Sequence, residues 1–249
     1  MTNPLFDRLF GKHTGNSKPF LRLVDGTTVS YADFLGLAAQ IAHLLAQSGL
    51  QAGDRLAAQV QKSHEALALY AACVQAGVVF LPLNVAYTTE ELNYFIEDSG
   101  ARMIVCDGKV AAALSPIATR LGASLETLNQ DGTGTLMESA RVMPEAFPTV
   151  DRSSEDLAAL LYTSGTTGRS KGAMLSQGNL LSNAETLAKE WQFTPDDVLL
   201  HALPIFHTHG LFVATNVTLA SGASMIFLPQ FNVDQLVGLI PDATVLMGV

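Results

Sequence analysis

Two stretches of this chain carry side chains whose types and spacing could do chemistry. The first, Tyr162 to Gly172, reads Tyr-Thr-Ser-Gly-Thr-Thr-Gly-Arg-Ser-Lys-Gly and holds three glycines, five Ser/Thr hydroxyls and two cations. Glycines let the backbone turn sharply and come close to a ligand. Hydroxyls and free backbone N–H groups donate to phosphate oxygens, and Arg169 and Lys171 supply positive charge. Together these are the ingredients of a polyphosphate cradle. The second stretch, Leu203 to Leu211, places His207 and His209 two residues apart among apolar neighbours. Each stretch has a plainer interpretation. Ser, Thr and Gly cluster in ordinary surface loops, and a histidine beside apolar residues is commonly a packing residue. The loop is not a Walker A motif, because Gly168 is followed by Arg169 and not by lysine. Gly132 and Gly134 begin a dinucleotide-type glycine pattern that Met137 ends.

Composition narrows the class. With 249 residues, 48% of them hydrophobic and 15% charged, the chain can bury a sizeable core. A formal net charge of -9 argues against a nucleic-acid partner, since there is no basic excess to neutralise phosphates. Cys73 and Cys106 sit in apolar runs and are expected to be buried reduced thiols. No Cys/His spacing suggests a metal site. Asp7 and Arg8 interrupt the apolar residues of the N-terminus, so it lacks signal-peptide architecture. The most apolar later stretch, 211–228, is broken by Asn216, Thr218, Ser221 and Gly222 and is too interrupted to span a membrane. A cytoplasmic protein is expected, with no membrane partner.

The elements that must position the two stretches follow from periodicity. Phe20 to Val24, an Asp25-Gly26 turn and Thr27 to Val29 predict a hairpin. Ser30, with Asp33 three residues on, caps a helix whose apolar residues run from Phe34 to Leu45 at helical spacing. Strands are predicted at Leu56–Val60, Val78–Leu83, Arg102–Cys106, Ser124–Leu128, Leu157–Leu161, Val198–Ala202, Ser224–Leu228 and Thr244–Met247. Helices are predicted at Glu65–Ala76, Thr89–Asp98, Val110–Leu121 (with Pro116 as a kink or break), Gln177–Trp191, Phe206–Ala220 and Val233–Leu239. Asn129–Gly134 is expected to be a flexible loop and Pro144–Ser154 a linker. Short apolar strands alternating with helices imply an α/β fold with stacked, mostly parallel sheets and flanking helices. Two lobes are expected, roughly 1–150 and 151–249, with the glycine-rich loop opening the second. In such folds ligands bind at the carboxyl ends of strands, where this loop sits.

Thr163-Ser164-Gly165-Thr166-Thr167-Gly168, followed by Lys171-Gly172, resembles the signature loop of the acyl-adenylate-forming enzymes: acyl-CoA synthetases, luciferases and peptide-synthetase adenylation domains. One departure is Ser170, where the family usually has proline; the loop is less rigid for it, but no phosphate donor is lost. The resemblance extends through Ala71–Asn84, where Gly77 and Pro82 shape the backbone, and through Leu203–Leu211. Its Phe-His-x-His-Gly-Leu segment is similar to that of malonyl-CoA synthetases.

The resemblance implies a two-step reaction: attack of a carboxylate on the α-phosphate of ATP, then displacement of AMP by the thiol of CoA. It implies phosphate contacts from Thr163, Ser164, Gly165, Thr166, Thr167, Gly168 and Lys171, and a place for His207 beside the reacting carboxyl group. His209 stands where many relatives carry an aromatic or apolar residue. A second imidazole suits a second carboxylate, so malonate is the expected acid and methylmalonate the next. It further implies that these residues form an incomplete N-terminal domain. The adenine and ribose contacts, the Mg2+ ligand, the acyl-orienting lysine and the C-terminal domain are expected beyond Val249, and the fragment alone is expected to be inactive. Two alternatives stand beside this: a ligase for acetate or another monocarboxylate, and a non-catalytic nucleotide-binding fragment.

Overall fold

A computed structural model describes residues 2–163 and 170–249. Pro4–Leu9 forms α1, capped by Asn3, whose Oδ1 accepts from the Phe6 N–H. Pro19–Leu23 (β1) and Thr28–Ser30 (β2) form the expected hairpin, with Gly26 at φ +88° in its turn. Ser30 then caps Tyr31–Gln47 (α2) in a reciprocal box with Asp33. The alternation continues with Arg55–Gln59 (β3), His64–Ala76 (α3), Val79–Pro82 (β4), Thr89–Ser99 (α4), Met103–Cys106 (β5), Gly108–Leu121 (α5) and Ser124–Thr127 (β6). Thr135–Ala140 adds a short α6, followed by Leu157–Thr163 (β7), Lys171–Ser176 (β8) and Gln177–Glu190 (α7). The chain closes with Val198–His201 (β9), a π-helical turn at His209–Thr215, Asn216–Ser221 (α8), Ser224–Phe227 (β10), Val233–Leu239 (α9) and Val245–Leu246 (β11).

The described strands form two sheets, ordered β6-β5-β3-β4-β7-β8 and β11-β9-β10-β1-β2. Neighbours are parallel except at the hairpins β1–β2 and β7–β8. Strand periodicity sorts side chains into layers. Leu56 and Ala58 of β3 face a central core shared with Leu199, Met225 and Phe227 of the other sheet. Ala57 between them faces the outer layer of α4 and α5, with Leu92, Phe95 and Leu114. Leu200 and Ile226 turn away from the centre, toward Leu236 and Leu239 of α9. Between the sheets lies α3, on which every residue from Glu65 to Ala76 is buried. Gly77, at φ +70°, ends α3; a Cβ there would lie 2.9 Å from Arg152 Cδ. Cys73 and Cys106 are buried free thiols. Burial pushes the Cys106 thiol up to about 11, with the Asp107 charge adding to it.

Several expectations are modified. The strands do not sort at residue 150: β1 and β2 join the late strands in one sheet, while β7 and β8 complete the early one. The linker-like stretch 144–154 is tied down, with Val150 N–H donating to Gln75 O and Arg152 N–H to Thr2 O. Asn129–Gly134 is stitched into a turn by Asn129 N–H to Thr133 O and by the Thr133 hydroxyl to Asp131. Pro116 does not interrupt α5. Pro116 and Ala112, whose carbonyl it leaves without a helical donor, both lie on the exposed face, where water can bond that oxygen. The stretch before Ser176, expected as loop, is strand β8, and α6 went unpredicted.

Candidate active site

Parallel pairing brings the carboxyl ends of strands from both sheets to one edge, and a cavity of about 350 Å3 opens there. Pro82, Leu83 and Asn84 enter it from the end of β4, Leu161–Thr163 from the end of β7, and Phe206–Thr208 from the segment after β9. Thr163 and His207, expected to serve the phosphates and the carboxyl group respectively, thus line one cavity. Both are exposed. Lys171 opens β8 directly opposite Thr163 in the antiparallel register, so these two flank the mouth of the glycine-rich loop. Ser164, Gly165, Thr166, Thr167 and Gly168, along with Arg169, lie outside the described residues. His209 does not line this cavity; it is half-buried at the first position of the π-helical turn.

Helix α4 fixes the base of the β7–β8 hairpin. Thr88 caps that helix in a reciprocal box with Glu91. Tyr94 donates its hydroxyl hydrogen to Ser170 O at 3.0 Å on one side of the loop. Tyr162 donates to Asp98 Oδ2 at 2.6 Å on the other. The Phe95 and Tyr162 rings pack with centroids 4.5 Å apart. Burial and then the bond to the Asp98 carboxylate raise the Tyr162 pKa, so its proton stays on the phenol.

The other wall of the site is held by residues that sequence reasoning passed over. Lys62, between β3 and α3, is buried and approaches His201, the last residue of β9, at 2.8 Å. His201 is fully enclosed and bonds Gly210 O through Nε2 at 2.8 Å. Desolvation lowers the pKa of each well below its ordinary value, and the Lys62 charge lowers His201 further. The only hint in the sequence is a lysine in the short connection between a strand and a buried helix, a pattern too common to single out. Gly210 permits the close approach: a Cβ there would lie 2.1 Å from Pro204 O. Behind the first cavity a second, of about 280 Å3, runs past Phe206 to Lys62.

The described residues contain no group of three His, Cys, Asp or Glu that could hold a metal ion. No helix among them is long and apolar enough to cross a membrane.

The profile of the AMP-binding enzymes matches residues 11–249. The mitochondrial malonate–CoA ligase ACSF3 of Mus musculus is 36% identical over 180 residues, which are 70% of this chain and 30% of that protein. The crystal structure of apo MatB from Rhodopseudomonas palustris is 55% identical and superposes with a TM-score of 0.97, covering 100% of this chain and 49% of that one. The ATP-bound form of MatB gives 0.96 with the same identity and coverage. The chain thus spans about half the length of MatB, and its match covers less than a third of the mouse ligase.

Proposed function

The chain belongs to the AMP-binding enzyme family, and from that premise we propose that the protein is an ATP-dependent acid–CoA ligase, with malonate as its acid and methylmalonate next. The observation that carries this reading is the meeting of Thr163, at the base of the glycine-rich loop, with His207 on one cavity at the strand ends. Similarity to a malonate–CoA ligase and to an ATP-bound MatB supports it.

In the proposed reaction a carboxylate oxygen attacks the α-phosphorus of ATP and pyrophosphate leaves. The CoA thiol then gives up its proton to solvent and attacks the acyl carbon of the adenylate, and AMP leaves with the shared electron pair. Positioning and charge neutralisation carry the first step. Hydroxyls and backbone N–H groups from Thr163 to Gly168 hold the outer phosphates, and Lys171, at the far side of the mouth, adds a point charge. His207 donates from its imidazole to the carboxylate that reacts. His209, polar where an apolar tail would gain nothing, favours a second carboxylate. No step is assigned to Mg2+, whose ligands we place outside these residues.

Residues 1–249 are read as an incomplete N-terminal domain, acting in the cytoplasm. The 249-residue chain assayed alone is expected to make no malonyl-CoA; measurable turnover by it would refute that expectation. The substrate is tested on the whole enzyme with ATP, CoA and a panel of malonate, methylmalonate, acetate, octanoate and 4-coumarate, following AMP release. Higher kcat/KM on octanoate or 4-coumarate than on malonate overturns the reading, and preference for acetate selects the monocarboxylate alternative. His207→Ala is expected to lower kcat about 100-fold, the scale of losing one aimed donor. His209→Ala is expected to weaken malonate use more than ATP binding; equal losses in both remove its role.

A further inference from the structure

Lys62 invites explanation because a buried amine is held at a cost in solvation that methionine, of similar reach, would avoid. Its side chain is 6% exposed, and no carboxylate pairs with it among the described residues. Its Nζ lies 2.8 Å from His201 Nδ1, 2.8 Å from His201 O and 4.3 Å from the centroid of the Phe227 ring. The chemistry of the partners assigns the protons. Gly210 O can only accept, so His201 Nε2, 2.8 Å away, carries hydrogen. In the neutral ring Nδ1 is then an acceptor, and Lys62 is the donor. The Thr215 hydroxyl donates to the same carbonyl at 3.0 Å.

These bonds close a loop. His201 ends β9, Gly210 lies within the π-helical turn, and the His201 ring ties one to the other. Between them, Leu211 N–H donates to His207 O at 3.0 Å, and Gly210 rests against Pro204 O. His207 is therefore carried on a short segment pinned at both ends. Lys62 follows β3, a strand of the sheet that also contains β7 and β8. It is a polar link from that sheet to the segment bearing His207.

We propose that Lys62 and His201 are positioning residues for acid activation: a relay from Lys62 through His201 to Gly210 that holds His207 in register with the β7–β8 hairpin across the two sheets. The functional consequence rests on the acid–CoA ligase reading; the relay itself does not. A methionine at position 62 would fill the space beside Phe227 but could not donate to both His201 Nδ1 and His201 O.

Two measurements test it. Long-range 1H–15N correlation spectra of histidine-labelled chain report the His201 tautomer without any assay. The neutral Nε2–H form is expected to persist through the usual titration range of histidine; an Nδ1–H tautomer or an imidazolium near neutral pH overturns the relay. In the whole enzyme, Lys62→Met is expected to lower kcat on the preferred acid by about tenfold to a hundredfold, with the KM for ATP changed by less than about twofold. Lys62→Arg, which keeps donors, is expected to recover part of the loss. If Lys62→Met does not fold, Lys62→Gln takes its place, and the tautomer of the unaltered chain still decides. A wild-type enzyme that activates an acid other than malonate refutes the substrate reading alone, and the comparison is made on that acid. Unchanged kcat in a folded Lys62 variant, with only a lowered Tm, overturns the positioning role.

Discussion

Gly210 concentrates the residue-scale logic of the site. Its carbonyl takes two donors and its missing side chain leaves room for Pro204 O. Gly210→Ala is expected to destabilise the chain by about 1–3 kcal/mol, as overpacking does. Gly238, inside α9 with nothing within 4 Å of a Cβ, provides the contrast: Gly238→Ala is expected to stabilise by up to about 1 kcal/mol through helix propensity. Urea midpoints of both variants at constant m-value check the pair. Neither outcome was legible in the sequence, where the two glycines look alike. The glycine-rich loop and His207 stood out as candidates because their residue types suggest a job. Lys62 and His201 were not, because a buried amine and the imidazole that receives it lie 139 positions apart.

Among the elements, α4 has the clearest division of labour. Its cap is local, readable from Thr88 and Glu91, and Thr88→Ala is expected to cost about 1 kcal/mol in chemical denaturation. Its function is not local. Through Tyr94 and Asp98 it ties the two strands flanking the phosphate-binding loop candidate to the outer layer. Tyr162→Phe removes the bond to Asp98 while keeping ring packing on Phe95. It is expected to raise the KM for ATP several-fold, about 1 kcal/mol of lost positioning, with little change in the KM for the acid. Steady-state kinetics on the whole enzyme separate the two. Strand β8 shows where periodicity runs out. Lys171 to Met174 are exposed and follow no two-residue hydrophobic alternation, so pairing with β7 sets their conformation. Helix α6 is short, and its buried Leu136, Met137 and Ala140 acquire helical meaning only against α2.

At the scale of the whole molecule, burial of ionisable groups couples stability to pH. His201 and His13 both have folded pKa values below the ordinary 6.5, each through desolvation first. The unfolded chain therefore binds more protons than the fold just below that value, and stability falls as pH drops through about 6.5 toward the folded values. Above it the contribution is fully present. Lys62 has the same sign at higher pH: its depressed folded pKa means stability rises as pH climbs toward 10.5. Unfolding free energies between about pH 5 and 7 are expected to increase with pH; a flat or inverted slope contradicts the neutral burial of these histidines.

The sequence by itself determined the α/β alternation, the capped helix α2, helix α4, the β1–β2 hairpin and the residue types of the phosphate-binding loop candidate. Each of these depends on neighbours within a few positions, through hydrogen bonds to nearby backbone or a repeating apolar face. Tertiary structure alone decided which strands share a sheet, so that β1 lies beside β10 and β7 beside β4. It also decided that Thr163 and His207 face one cavity, and that Lys62 meets His201. Parallel strands are joined by crossovers long enough to reach several places, and the choice among them is made by burying side chains that are distant in the chain. The catalytic candidates were visible as chemistry in one dimension; their meeting depends on how the two sheets close over α3.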